Sequence, residues 1–328
     1  MALTGLKLKI AYPKQGRNLP LLVLMHAWAS LTIDDLIIDR FVQLGFFVIA
    51  PGMRGRDGAQ GTHDASGREI YDILDAIKYI QTNYADRIND KVSICGWSGG
   101  GGNAMACACK LPDTFNCCIS NFGMSDYGYD ATYGWYAQNA NYWSDLISYI
   151  GGDPTQVPNN YHSRDAIYGI INYTGGKMVL VGDTEDTTVP HNQSTRLKDA
   201  MVAAGMSNYT ELYSTTSDSI RYLHTMTYDG IPERQAEATW MPLAKNTAAW
   251  TISASGTINV MGFIHTKRFE IWLGTGLTAA ASCTYDTVTG TYTFNALTTA
   301  NTAVSITQGT KTASGTLVPG TPLTLTVA

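Results

Sequence analysis

One stretch constrains this chain more than any other: Val92-Ser93-Ile94-Cys95-Gly96-Trp97-Ser98-Gly99-Gly100, an apolar strand pattern running into Gly-x-Ser-x-Gly. Small residues follow it, Gly101-Gly102-Asn103-Ala104-Met105-Ala106-Cys107-Ala108, and predict a helix. A sharp strand-to-helix turn puts its central residue in a strained backbone region, so both flanks must be small. Such a turn pushes the Ser98 hydroxyl out of the sheet. It also aims the Gly99 amide and the helix N-terminus at any oxyanion formed there. The pattern predicts a serine nucleophile.

The 328 residues suffice for one large core and a small second module. Strand and helix signals alternate over about the first 245 residues, as in a parallel sheet covered on both faces. Leu21–Met25 and Phe46–Ala50 read as buried strands, as does Met178–Val181. Gly5–Ala11 alternates like an early half-exposed strand, and Glu211–Tyr213 reads as the last one. Helices are expected at Ile33–Leu44, Ile70–Tyr79, Ser194–Ala204 and Pro232–Met241. Composition then changes: residues 250–328 hold 20 Thr and five charged residues, Lys267, Arg268, Glu270, Asp286 and Lys311. Short alternating segments replace helical spacing, beginning with Trp250–Ser253, and Asp286–Gly290 reads as a hairpin loop. The expected organisation is a catalytic domain at 1–245 and a small sandwich-like β domain at 246–328.

A hydroxyl is a weak nucleophile until a base takes its proton, so Ser98 requires a histidine and an orienting acid downstream. His224, after the last strand of the sheet, is the base candidate. His26, His63, His162, His191 and His265 lie in loops or strand ends with structural readings. The loop Gly182-Asp183-Thr184-Glu185-Asp186-Thr187-Thr188-Val189-Pro190 supplies the acid, with Asp183, Glu185 and Asp186 as candidates. A second oxyanion donor is expected from Ala27 or Trp28, after the Leu21–Met25 strand, to pair with Gly99.

These residues resemble the α/β-hydrolase superfamily, most closely its prolyl-oligopeptidase-like and dienelactone-hydrolase-like branches, over roughly residues 18–242. Pro51-Gly52-Met53-Arg54-Gly55-Arg56-Asp57-Gly58 is similar to the family's Arg-Gly-x-x-Gly loop. Gly182–Pro190 resembles its Gly-x-x-Asp-x-x-Val-Pro loop with one extra residue. Counted back from Val189-Pro190, that register makes Asp186 the expected acid; counted forward from Gly182, it would pick Glu185, the competitor. The sequence departs from the family at His26-Ala27, where His-Gly is usual, and at Leu223-His224-Thr225-Met226, where Gly-His-x-Phe is usual. The resemblance implies an α/β-hydrolase fold and an acyl-enzyme serine hydrolase. The family's β-propeller is not among these residues, which points to an esterase before a peptidase.

Aromatic residues crowd 127–150, where such folds insert a cap. Tyr127, Tyr133, Trp135, Tyr136 and Trp143, with Trp97 at the nucleophile turn, are the candidate substrate contacts. The expected substrate is a small-molecule or glycan ester. A Thr-rich, charge-poor β module could alternatively bind a glycan or neighbouring subunits in a virion or surface assembly, or make a homo-oligomer contact. A net charge of -5 without Lys/Arg runs argues against nucleic acid, and no apolar run reaches the roughly 18 residues of a bilayer span. Residues 1–7 lack the features of a secretory signal, so a cytoplasmic location is the default expectation and a virion or extracellular surface the alternative. The six cysteines lack ligand spacing and read as buried thiols, and no metal or organic cofactor is expected.

Overall fold

The computed structural model describes residues 5–28, 32–56, 58–218, 223–224 and 231–328, without the side chains of 231–233. The chain begins with β1 (Leu8–Ala11), β2 (Leu19–Met25), α1 (Asp35–Gln43), β3 (Phe47–Pro51) and α2 (Glu69–Asn83). Next come β4 (Ile88–Trp97), α3 (Gly99–Lys110) and β5 (Cys117–Asn121). Short helices follow: α4 (Trp135–Gln138), α5 (Trp143–Ile150), α6 (Pro158–His162) and α7 (Ala166–Gly169). Then come β6 (Lys177–Asp183), α8 (Asn192–Ala203), β7 (Tyr209–Ser214) and α9 (Ile231–Asn246).

Among the described residues these strands form a seven-stranded sheet ordered β1-β3-β2-β4-β5-β6-β7. Only β1 runs antiparallel to its neighbour. The apolar run of β2 shows why it lies at the centre. Leu21, Val23 and Met25 face one core with Ile70, Ile73 and Ile77 of α2 and Ala104 and Ala108 of α3. Leu22 and Leu24 face the other core with Ile37 and Phe41 of α1 and Trp240 of α9. Burying each leucine contributes about 1.5–3 kcal/mol, so the strand's register is strongly specified. All six cysteines are buried thiols.

The C-terminal strands are β8 (Ser255–Met261), β9 (Phe263–His265), β10 (Glu270–Leu273) and β11 (Ala280–Asp286). They are followed by β12 (Thr291–Ala296), β13 (Thr302–Gln308), β14 (Lys311–Leu317) and β15 (Leu323–Thr326). The sandwich-like core is made by one continuous antiparallel sheet ordered β14-β13-β10-β9-β8-β11-β12-β15. Val260, Ile271, Phe294, Val304 and Ile306 fill its interior. Gly315 of β14 lies against the side chains of Leu323 and Leu325, bringing the two ends of the sheet together.

Trp250–Ser253, expected as a strand, is not one. Its groups are satisfied by the first part of the chain: Trp250 Nε1 donates to Phe115 O (3.1 Å) and Ile252 N to Asp113 Oδ2 (3.1 Å). The β module is docked, not tethered. Phe263 is fully buried in the core with α2 and α3, and Asn172 exchanges two hydrogen bonds with the Asn259 backbone. Arg164 Nη1 donates to Leu277 O (2.9 Å). The module contacts the C-terminal half of α3, roughly 18 Å along the helix from Ser98 at 1.5 Å per residue.

Candidate active site

Ser98 sits between β4 and α3 with φ 53° and ψ -116°, a conformation a non-glycine residue rarely adopts. The turn closes because its neighbours lack side chains. A Cβ on Gly96 would stand 2.0 Å from Gly100 O. The strained turn is held by Ser98 N donating to Asn121 O (2.8 Å) and Asn121 Nδ2 donating to Gly96 O (3.0 Å).

Of the segment expected to carry the base, only Leu223 and His224 are among the described residues; Arg221, Tyr222, Thr225 and Met226 lie outside them. His224 Nε2 lies 3.1 Å from Ser98 Oγ, and its Nδ1 lies 2.8 Å from Asp186 Oδ2. Asp186 is the carboxylate that reaches the imidazole. Its Oδ1 accepts from Thr188 N (2.8 Å) and Val189 N (3.0 Å), which fixes the carboxylate plane. Glu185 is exposed. Asp183 is buried and does a different job: it accepts from Glu185 N, Ser214 Oγ and Leu223 N, fastening the acid loop to β7 and to the residue before His224. The Asp186 side chain is 2% exposed and that of His224 18%, so the pair is dry behind and open in front. A carboxylate there holds the imidazole in the tautomer that accepts a hydroxyl proton.

On the other side of Ser98, the Trp28 backbone crosses Gly99: a Cβ on Gly99 would stand 2.8 Å from Trp28 N. Of the two donor candidates, it is Trp28 whose amide nitrogen passes beside the Gly99 backbone. The Ala27 carbonyl is within 2.8 Å of His26 Nδ1. Arg56 donates to Trp28 O, and its guanidinium lies 5.8 Å from the Trp28 ring centre. Behind it, Glu69 Oε2 lies 2.8 Å from His63 Nδ1, and Ser66 N donates to Glu69 Oε1 (2.6 Å). Burial pushes the Glu69 carboxyl up, but His63, the Ser66 amide and Arg56 outweigh it and hold it down to about 2.

The aromatic candidates separate into two groups. Trp97, Tyr127 and Trp135 are 3%, 2% and 1% exposed, which corrects their expected role as substrate contacts. Trp97 belongs to the core over α1 and α9. The Tyr127 hydroxyl bonds Ser66 Oγ (2.7 Å). Trp135 Nε1 donates to Thr188 O (2.8 Å), bracing the acid loop. Tyr133 and Trp143 are exposed, and Trp143 stacks on Tyr136 at 5.2 Å. Arg56 and Asp145 carry no site signal in the sequence, whereas Asp183 is a candidate there for the acid. No group of three His, Cys, Asp or Glu side chains converges as a metal site among the described residues. No helix among them is long and apolar enough to cross a membrane.

A family model, the prolyl oligopeptidase family of peptidases, matches residues 34–220 and so spans the nucleophile turn and the acid loop. The chain belongs to this family. The expected α/β-hydrolase fold follows from that membership and from the structural likenesses below. An acylaminoacyl peptidase of Pyrococcus horikoshii is similar in structure at TM-score 0.59 and 15% identity, covering 76% of this chain and 43% of that one. The chain therefore spans less than half the length of that family relative. A Pyrococcus furiosus esterase is similar at TM-score 0.51 and 14% identity, over 73% of this chain and 93% of that one. An acetyl xylan esterase from a Paenibacillus species is similar at TM-score 0.54 and 14% identity, over 73% and 79%. No curated protein matches the chain in sequence.

Proposed function

We propose that this family member is a carboxylic-ester hydrolase working through an acyl-enzyme on Ser98. The reading rests on one observation, the aligned contacts Ser98 Oγ–His224 Nε2–Asp186 at the head of α3. His224 takes the Ser98 proton as Oγ attacks the ester carbonyl, and the carbonyl electron pair moves onto oxygen. The Gly99 and Trp28 amides receive that oxyanion. Collapse expels the alcohol, which His224 protonates, and water then repeats the sequence to release the acid. Asp186 holds the imidazole throughout.

An acyl group on a carbohydrate is the substrate class this reading favours. A cleft beside the oxyanion loop, lined by Trp28, Gly55, Arg56, Thr62, Asp145 and Tyr149, combines aromatic faces with polar groups of both signs. Such walls suit a hydroxylated ring. The lengths covered in the two esterases support an ester substrate, and one of the two is an acetyl xylan esterase. A peptidase is the second reading, favoured by the family model. The comparison that separates them is kcat/KM for an acetylated oligosaccharide against an aminoacyl anilide. The ester reading predicts at least about a tenfold preference for the acetylated sugar. Equal or faster anilide cleavage overturns it in favour of the peptidase.

A further inference from the structure

The Trp28 amide belongs to the loop after β2, and the Trp28 side chain is held by a distant part of the chain. Trp28 Nε1 donates to Asp145 Oδ2 (2.8 Å) on α5, 117 residues away. The indole is packed edge-on by Trp135 (5.2 Å between ring centres) and tilted against Tyr149 (5.5 Å). Arg56 takes the Trp28 carbonyl and lies 5.5 Å from the Tyr149 ring centre, closing the clamp from the other side. Within the same segment Trp135 also holds Thr188 O, two residues past Asp186. The segment 127–150 therefore grips both walls of the site, the oxyanion loop through Trp28 and the acid loop through Trp135.

An oxyanion donor acts through position. Its N–H must already point where charge develops, so a small displacement removes stabilisation from the transition state more than from bound substrate. The indole is the lever for that position because it is rigid, nearly fully buried and shares its backbone with the donor amide. We propose that the aromatic segment 127–150 sets the oxyanion geometry through Trp28, with Asp145 as the positioning residue. Asp145 borders the cleft but touches no reacting atom; with a substrate as small as p-nitrophenyl acetate it acts through the indole. The inference deepens the ester-hydrolase reading and rests on it.

Asp145→Ala removes the acceptor, Trp28→Phe removes the donor while keeping a ring, and Asp145→Asn keeps a side-chain carbonyl for the indole. With p-nitrophenyl acetate, the first two lower kcat by about 10- to 100-fold with KM changed far less, and Asp145→Asn stays within about threefold of wild type. The double variant Trp28→Phe/Asp145→Ala is no slower than the worse single, since both remove one contact. An aryl trifluoromethyl ketone, which takes the Ser98 oxygen and becomes a tetrahedral oxyanion, loses affinity by the same factor as kcat/KM. A merely structural Asp145 would lower thermal stability without that parallel loss.

Wild-type protein inert toward ester and ketone removes the ester-hydrolase reading and this inference together. Active wild type with all variants within about threefold, or a loss confined to KM, overturns this inference alone. If Asp145→Ala does not fold, Trp28→Phe against Asp145→Asn carries the same contrast.

Discussion

Ser98→Ala leaves a folded protein whose kcat for p-nitrophenyl acetate falls by about four to six orders of magnitude. The size of the effect comes from cooperation. Ser98 Oγ, His224 and Asp186 form one relay, so removing the nucleophile strands the other two and leaves only the amides of Gly99 and Trp28. Folding is spared because the hydroxyl caps nothing: the N-terminus of α3 makes no bond to the Ser98 side chain. The turn is held by backbone contacts and by Asn121, which the substitution leaves in place. Steady-state kinetics with circular dichroism tests this. Residual turnover within about tenfold of wild type would put the nucleophile elsewhere.

Lys110→Met raises stability by on the order of 2–5 kcal/mol at pH 6.5, and the gain fades as the pH approaches 10. Lys110 ends α3 beneath the β module. It is 1% exposed, its Nζ has no hydrogen-bond partner among the described residues, and it lies 5.0 Å from the ring centre of Phe263. Burial, with the neighbouring Arg164 charge, drives its ammonium down to about 7, against the opposing pull of Asp64, Cys109 and Glu69. The sign follows from proton counting. Between pH 7 and the ordinary lysine value of about 10.4, the unfolded chain binds a proton that the folded chain does not. Stability of the native protein therefore rises with pH across that window, and the penalty is complete below it. Methionine fills similar space with nothing to protonate. Urea unfolding of both proteins at pH 6.5, 8 and 9.5 should show a gap that closes as pH rises. A gap that is absent, or that widens with pH, contradicts a buried unpaired lysine.

The legible parts of this fold are those where one kind of residue meets one kind of surface. Leu21–Met25 and Met178–Val181 can only be central strands, since every side chain must be covered. The turn around Ser98 needs glycine at 96, 99 and 100, because a Cβ at any of the three meets backbone. The base was legible through chain order alone, although its neighbours depart from the usual motif. The acid, Asp186, was legible only by counting back from Val189-Pro190, since three carboxylates share one loop and counting forward from Gly182 picks Glu185. Only the hydrogen bonds of Asp183 to Ser214 and Leu223 separate the loop's fastener from the group facing His224. The substrate contacts misled for a related reason. Aromatic density marks a segment that must be packed, and Trp135 and Tyr127 pack inward. Strand β14 gives little signal in the sequence, since Thr312, Ala313, Ser314, Gly315 and Thr316 offer too little contrast to reveal a period of two. Trp28 could not be seen as a lever, since its partner Asp145 is 117 residues away.

The central claim is that Ser98 becomes covalently acylated during turnover. Acid quenching in the first turnovers with p-nitrophenyl acetate, followed by peptide mass mapping, tests it most directly. One acetyl mass is expected on the peptide holding Gly96-Trp97-Ser98-Gly99-Gly100, absent in Ser98→Ala. An acetyl group on another residue, or hydrolysis with no covalent species in a wild type that shows burst kinetics, would contradict it.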